Sequence, residues 1–311
     1  LKQVRPSVRT HKKIVKMDNS KIITVQILNA FAENGKGGNP AGVVLNADLL
    51  TDQNKLEISK KVGLSETAFV SKSETEDFKL DFFTPNKQIA HCGHATVATF
   101  SYLKQIGALQ KEISSKETID GKRNIELIGD LAFMEQLAPT YKDVSSKEEL
   151  ILTSLGLQKE DLIPNAPIQL VNTGNSFILV PVKNNIILKG IQPDLNLIHE
   201  ISDQFDLIGF YVFSTETENR NYDATARMFG PRYGIPEEAG TGMAAGPLAC
   251  YLYDVLKRSK KSFNIQQGTY MKNPSPSLII VNLALEQDKI QSLMAGGKGL
   301  LYKQLEVQLE N

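Results

Sequence analysis

From Lys21 onward, short apolar or alternating runs are separated by turn clusters, the pattern of a strand-rich chain. Strand-length runs occupy residues 22–27, 43–45, 68–71 and 78–83. In the last, Phe78, Leu80 and Phe82 alternate with Lys79 and Asp81, as on a half-buried strand. Thr51 or Asp52 can cap a helix running toward Lys61. After Thr84-Pro85-Asn86 the pattern changes to small and apolar residues, predicting a helix from His94 to about Ile106, closed by Gly107. Further strands are expected at 125–128 and 132–136. Beyond Pro139 a charged stretch leads into a short helix ended by Gly156, which marks a candidate boundary. The rhythm then returns with strands at 168–171, 177–182, 207–213 and 223–229, a small-residue helix at 241–258, and strands at 262–266, 278–285 and 299–309.

The two small-residue helices begin alike. Cys92-Gly93-His94-Ala95-Thr96-Val97-Ala98 opens the first and Ala239-Gly240-Thr241-Gly242-Met243-Ala244-Ala245 the second, so Gly93 matches Gly240 and Ala98 matches Ala245. Each follows a strand containing Phe and a turn containing Pro. This order predicts an internal duplication, with each half wrapping a curved sheet around one buried helix. The expected units are 17–138 and 139–311, with the C-terminal segment able to pack back on the first.

The start of a buried helix presents unpaired N–H groups and positive dipole potential, an anion site that glycine lets a ligand approach closely. Two such starts facing across a cleft would hold a small carboxylate. His94 lies in the first turn, where the dipole favours neutral imidazole and suits it to proton shuttling. Glu66 interrupts an apolar approach to a strand, so it is expected to be partly desolvated and fit for acid/base duty; an exposed turn acid is the plainer alternative. Glu237 and Glu238, just before the second glycine loop, could bind a substrate amine or hydroxyl, or simply favour the helix dipole. Cys92 sits where a thiol pKa is lowered. Its counterpart at the second loop is Ala239 and Cys250 lies inside a helix, which argues against a two-cysteine mechanism. Phosphate-loop, dinucleotide, nucleophile-elbow and zinc-protease motifs are missing from the sequence. His91 and His94 have no accompanying ligand cluster in the sequence, so no metal and no cofactor are expected.

Composition adds bounds. The 311 residues are 41% hydrophobic, contain two cysteines and carry a formal net charge of zero. No run is long enough to span a bilayer, and a reducing cytoplasm is the simpler home. The neutrality is uneven, because residues 1–16 hold six basic groups and no acid. The plain expectation is that 1–16 is a leader foreign to the native protein, which would start at Met17. A nucleic-acid arm or organelle presequence is the sharper alternative. No aromatic interleaves its charges and the body is acidic, so no nucleic-acid or membrane partner is expected.

Four ordered motifs resemble the PhzF-like isomerase/epimerase family of phenazine biosynthesis. They are Gly38-Asn39-Pro40-Ala41-Gly42, Ser65-Glu66-Thr67-Ala68-Phe69-Val70, Phe83-Thr84-Pro85 with Cys92-Gly93-His94-Ala95-Thr96, and Gly234-Ile235-Pro236-Glu237-Glu238 running into Thr241-Gly242; Gln267-Gly268 also fits. The resemblance implies an α+β, diaminopimelate-epimerase-like fold of two pseudo-repeated halves, cofactor-free catalysis in the cleft between them, and a homodimer. It implies Glu66 as general acid/base, His94 as positioning or relay group, and Glu238 as the substrate-orienting acid. Gly93, Ala95, Gly240, Thr241, Gly242, Met243 and Asn39 would form the substrate and anion contacts. Glu238-Ala239 and Met243 replace the family's Asp-Pro and small hydroxyl residue, which implies a reshaped pocket. The function expected is an isomerase or epimerase moving a proton on a small carboxylate-bearing metabolite. The alternative is a catalytically idle relative that binds a metabolite or a protein.

Overall fold

A computed structural model describes residues 21–309, so the basic segment 1–16 and Met17 lie outside the described residues. The first half runs through β1 (Lys21–Ala30), β2 (Asn39–Val44), α1 (Asp52–Val62), β3 (Thr67–Ser71), β4 (Phe78–Phe83), β5 (Gln88–Ile89), α2 (Gly93–Gln105), β6 (Ile113–Thr118), β7 (Gly121–Ile128) and β8 (Leu131–Leu137). The second begins with β9 (Thr140–Asp143), α3 (Glu148–Leu155), β10 (Gln169–Asn172), β11 (Ser176–Pro181), α4 (Asn185–Gly190) and α5 (Leu195–Phe205). It continues through β12 (Gly209–Ser214), β13 (Ala224–Gly230), β14 (Ile235–Glu238), α6 (Gly242–Asp254), β15 (Ser262–Gln267), β16 (Ser277–Glu286) and β17 (Lys289–Leu309).

The connectivity is repeated step for step. β1 and β2 are antiparallel, β2 and β3 parallel across α1, β3 and β4 antiparallel, and β5 folds back on β4. β6 then lies parallel to β4 across α2, and β7 and β8 follow antiparallel. In the second half β10 and β11 are antiparallel, β11 and β12 parallel across α4 and α5, β12 and β13 antiparallel, and β14 folds back on β13. β15 lies parallel to β13 across α6, and β16 and β17 complete the set. Each parallel step needs a crossover, and a helix supplies it.

The halves are also laced together. β17 pairs with β16, then with β8, and its C-terminal part from Gly299 pairs with β1. β9, which follows β8, pairs with β10. The chain thus enters the second half through β9, laid against β10, and returns at its end to β1 of the first, in one mixed sheet of 17 strands. Gly296 permits the β8–β17 crossing, since a Cβ there would lie 2.0 Å from the Ala132 carbonyl oxygen.

α2 and α6 are small and apolar on every side because both are surrounded: α2 packs on β17, β8, β1 and β2, and α6 on β16, β17, β10 and β11. One core cluster includes both helices. α1 covers a separate cluster with Ile58, Phe69 and Phe83, while α3, α4 and α5 cover another with Ile151, Leu188 and Ile198. The hydrophobic pattern predicts most strands within a few residues, and Thr51 does cap α1 through a reciprocal capping box. It does not reveal the short β5, β9 and β14, the polar β6, or α4 and α5. The last predicted helix ends at Asp254 rather than 258, and β17 begins ten residues before the expected 299. In β17 the glycines at 296, 297 and 299 interrupt the apolar pattern where the chain passes close to other backbone.

Candidate active site

α2 and α6 bring their first residues face to face: a Cβ on Gly93 would lie 3.4 Å from Met243 Cγ. Between them is a cavity of about 580 Å³, lined by Glu66, Cys92, Gly93 and His94 from the first half and by Glu238, Gly240, Thr241, Gly242 and Met243 from the second. Gly63 ends α1 at φ 69, and the turn that follows delivers Glu66 to the cavity just before β3. The Glu66 carbonyl is held by the Gly42 N–H at 3.0 Å.

Two candidates lie elsewhere. Ala95, one residue beyond His94 on α2, is turned into the apolar core and is fully buried there, so it does not line the cavity. Asn39 acts behind the wall, donating from Nδ2 to Glu238 Oε1 and to the Gly240 carbonyl, both at 2.9 Å.

His94 is the centre of the arrangement. Its Nε2 is 3.3 Å from Glu66 Oε2 and its Nδ1 is 3.6 Å from both Glu238 Oε1 and Cys92 Sγ. Burial disfavours the charged ring, but Cys92, Glu66 and Glu238 together outweigh it and raise the His94 pKa to about 10. The sequence expectation of a neutral imidazole is therefore overturned, because partners at contact distance outweigh the helix dipole. Glu238 is itself raised, first by burial and then by Glu66, against the opposing His94 charge and the hydrogen bonds from Thr241 and Asn39. The expectation of an activated Cys92 also fails: full burial pushes the thiol upward despite its helix N-cap position. Glu66, Cys92 and His94 bring their ligand atoms within 4.8 Å of one another, a cluster that the sequence spacing of His91 and His94 could not show. Their carboxylate, thiol and imidazole atoms form a donor set suited to a soft divalent cation.

Gln267, which the sequence ties to the family pattern without a role, and Phe31, which it does not single out, shape the second loop. Gln267 Oε1 accepts from the Thr241 N–H at 3.0 Å and the Tyr211 hydroxyl at 2.9 Å, while its Nε2 donates to the Glu238 carbonyl at 2.7 Å and Thr241 Oγ1 at 3.1 Å. Phe31, held at φ 63, lies beneath the same loop; a Cβ on Gly240 or Gly242 would fall 2.9 or 3.2 Å from its ring. A bulky residue in that backbone region is strained, and the tight packing under both glycines holds it there.

Glu237 is not free to bind substrate. Arg227 grips it through two hydrogen bonds of 2.8 and 3.0 Å and also donates to the carbonyls of Leu188 and Ile191. Glu237→Gln is expected to destabilise the fold by roughly 3 kcal/mol, because it strands a buried guanidinium. Denaturant unfolding measures this, and a midpoint equal to wild type would contradict it.

His91 also lines the cavity and is held down to about 3, first by burial and then by the Lys116 ammonium. With the folded value below the ordinary 6.5, the unfolded chain binds an extra proton as the pH falls from 6.5 toward 3. Stability should therefore drop by roughly 1 kcal/mol per pH unit in that window. His91→Asn should flatten this decline in pH-dependent unfolding, and an unchanged slope would exclude His91 as its source. Farther out, Ile89, Ile208, Met228 and Ile235 form apolar walls, and Lys87 and Arg232 bring cations to the cavity lining.

Residues 28–303 match the family described as phenazine biosynthesis-like protein (PhzC-PhzF). An uncharacterised isomerase of Clostridium acetobutylicum is 35% identical over 234 residues, covering 72% of this chain and 77% of its own. The trans-2,3-dihydro-3-hydroxyanthranilate isomerase of Pseudomonas chlororaphis is 27% identical, covering 89% and 96%. The crystal structure of a PhzF-family protein of Bacillus anthracis superposes with a TM-score of 0.83 at 30% identity, covering 93% of this chain and 100% of that one. A hydroxyproline epimerase of Agrobacterium vitis shares the fold alone, with a TM-score of 0.56 at 10% identity over 95% of each chain.

Proposed function

The chain belongs to the phenazine biosynthesis-like protein family, and from that premise we propose that it is a cofactor-independent isomerase or epimerase acting on a small carboxylate-bearing metabolite. The observation that carries this reading is a buried imidazole bracketed by Glu66 and Glu238, one from each half, between two facing helix starts. The N–H groups at the helix starts suit the substrate's anionic group and the charge that develops on it. Glu66 removes a proton from carbon: the C–H bond breaks, an O–H bond forms, and the electron pair delocalises toward the carboxylate or an adjacent double bond. The same Glu66 then delivers the proton to another carbon. That order suits an isomerisation on one face, whereas an epimerisation would draw on Glu238 from the other side of His94. The protonated imidazole holds Glu66 in position, and Glu238 with Asn39 and Thr241 orients the substrate.

The same reading places the fold with the diaminopimelate-epimerase type, takes 17–138 and 139–311 as its units, and expects a homodimer in the cytoplasm. Glu238 is a methylene longer than the aspartate of the family pattern and Met243 fills part of the wall, so the substrate panel extends beyond hydroxyanthranilate derivatives. Carboxylate-bearing metabolites that raise the melting temperature are incubated with the wild-type protein in D₂O and followed by NMR. Deuterium entering carbon at an enzyme-dependent rate is the expected result. Binding without exchange across all hits would replace the enzyme with a metabolite-binding module.

A further inference from the structure

Besides protonated His94, three cationic side chains are buried among the described residues: Lys55, Arg227 and Lys116. Lys55 meets Asp81 at 2.5 Å and Arg227 meets Glu237 at 2.8 Å, so each has a carboxylate partner. Lys116 is fully buried and forms no ion pair at contact distance among the described residues; Asp120 acts on it only from farther away. Its Nζ donates to Thr96 Oγ1 at 2.6 Å, lies 3.3 Å from His91 Nδ1, and sits 4.7 Å over the Phe82 ring. Thr96 in turn donates to the Cys92 carbonyl at 2.6 Å, and Cys92 is the N-cap of α2. The ammonium therefore stands directly behind the first helix start, two hydrogen bonds from the N-cap carbonyl.

A buried charge without a counter-charge is costly unless something else requires it. The cavity in front supplies a reason. Glu66, Glu238 and protonated His94 leave its floor with net negative charge, which an incoming anion would increase. His94 is 6% exposed, and its Nε2 faces Glu66 Oε2 at 3.3 Å without an aligned hydrogen bond, so the pair at the cavity is held by charge alone. We propose that Lys116 is the counter-charge of the anion-binding helix start: its ammonium, acting through Thr96 and His91, positions the 91–93 turn and balances the anionic group of the bound ligand. This inference rests on the anion site of the preceding section and assigns it a positioning residue outside the cavity wall.

With Lys116 charged, its N–H points at His91 Nδ1 and leaves the His91 proton on Nε2, a neutral donor on a residue of the cavity lining. Burial above all lowers Lys116 to about 7, with Cys92 and Asp120 raising it and Arg123 lowering it further. An anion at the helix start favours the charged form, so binding above neutral pH must take up a proton. His94, raised to about 10, keeps its charge across this range.

Sulfate is the probe, because its charge is constant from pH 6 to 9. Isothermal titration calorimetry on the full chain, in two buffers of different ionisation enthalpy, measures affinity and proton uptake together. Wild type should bind sulfate about tenfold more tightly at pH 6 than at pH 8 and take up close to one proton at pH 8. Lys116→Met, which keeps the length but not the charge, should show a flat profile at an affinity well below the wild-type value at pH 8, and no uptake. A flat wild-type profile, an unchanged profile in the variant, or the lack of saturable sulfate binding would each overturn the proposal. The wild-type uptake alone decides the matter should the variant fail to fold. Deuterium exchange separates this from the enzymatic reading: exchange with a flat sulfate profile removes only the role of Lys116, whereas the expected profile without exchange removes only catalysis.

Discussion

Glu66→Gln should lower the rate of solvent-deuterium exchange into substrate by about 10³-fold, within the range for loss of a general acid/base. The amide keeps the size and hydrogen-bonding reach of the carboxyl but cannot accept a proton from carbon. Binding should survive, since the helix starts, Glu238 and Asn39 remain in place. A thermal-shift titration with the same ligand checks that, and exchange at the wild-type rate would remove Glu66 from the mechanism. The substitution also removes one of the two carboxylates that hold His94 protonated. The His94 pKa should therefore fall from about 10, which an NMR pH titration of the imidazole would read directly. In the wild type, the raised value adds stability that is complete below pH 6.5 and lost as the pH climbs through about 10; the variant should lose part of it.

The second large effect is expected at a residue that never touches the cavity. Gln267→Leu leaves the Thr241 N–H, the Tyr211 hydroxyl and the Glu238 carbonyl without their shared partner in a buried site. At about 1–3 kcal/mol for each orphaned group, partly relieved by relaxation, a loss of roughly 3–5 kcal/mol is expected. Activity should fall further than stability explains, because Glu238 and Thr241 lose the strut that sets their distance from His94, and an ångström of misplacement can cost about 10²-fold. Unfolding in denaturant and exchange measured well below the melting temperature separate the two effects. Near-wild-type values in both would show that Gln267 only fills space. Gln267 lies on β15, far along the chain from His94; its match to the family pattern marks the position, but a polar residue ending a strand does not reveal this role.

The legible parts of this protein are those set by neighbours in sequence. Gly107 and Gly156 end helices where the pattern says they should, Thr51 caps α1, and the small-residue runs after Cys92 and Thr241 form buried helices because small, apolar faces let other elements pack all round them. The strands β5, β9 and β14 escape notice because two to four residues hold no periodicity, whereas α5 carries a helical signal, Asp194 as cap with Ile198 and Ile201 on one face, which the strand rhythm around it masks. The crossing of β17 onto both β8 and β1 is invisible for a related reason: pairing partners are chosen by sheet closure, and the glycines that allow the crossing look like breaks.

In the site the division follows range of interaction. Residue type and spacing alone identify two glycine-opened helices, an acid before β3 and a histidine in a first turn. Only the tertiary structure decides that Glu238 faces the cavity while Glu237 is taken by Arg227, that Ala95 points into the core, and that Lys116 lies without a contact ion pair behind the helix start. It also reverses the expected charge of His94 and the expected reactivity of Cys92. The helix dipole is a local property that sequence reveals, but ionisation depends on burial and on charges a few ångströms away, and those come from strands and loops distant in the chain. The sequence by itself determined which groups this protein has for its chemistry; folding decided their protonation and their partners, because electrostatic energy depends on distance in space rather than along the chain.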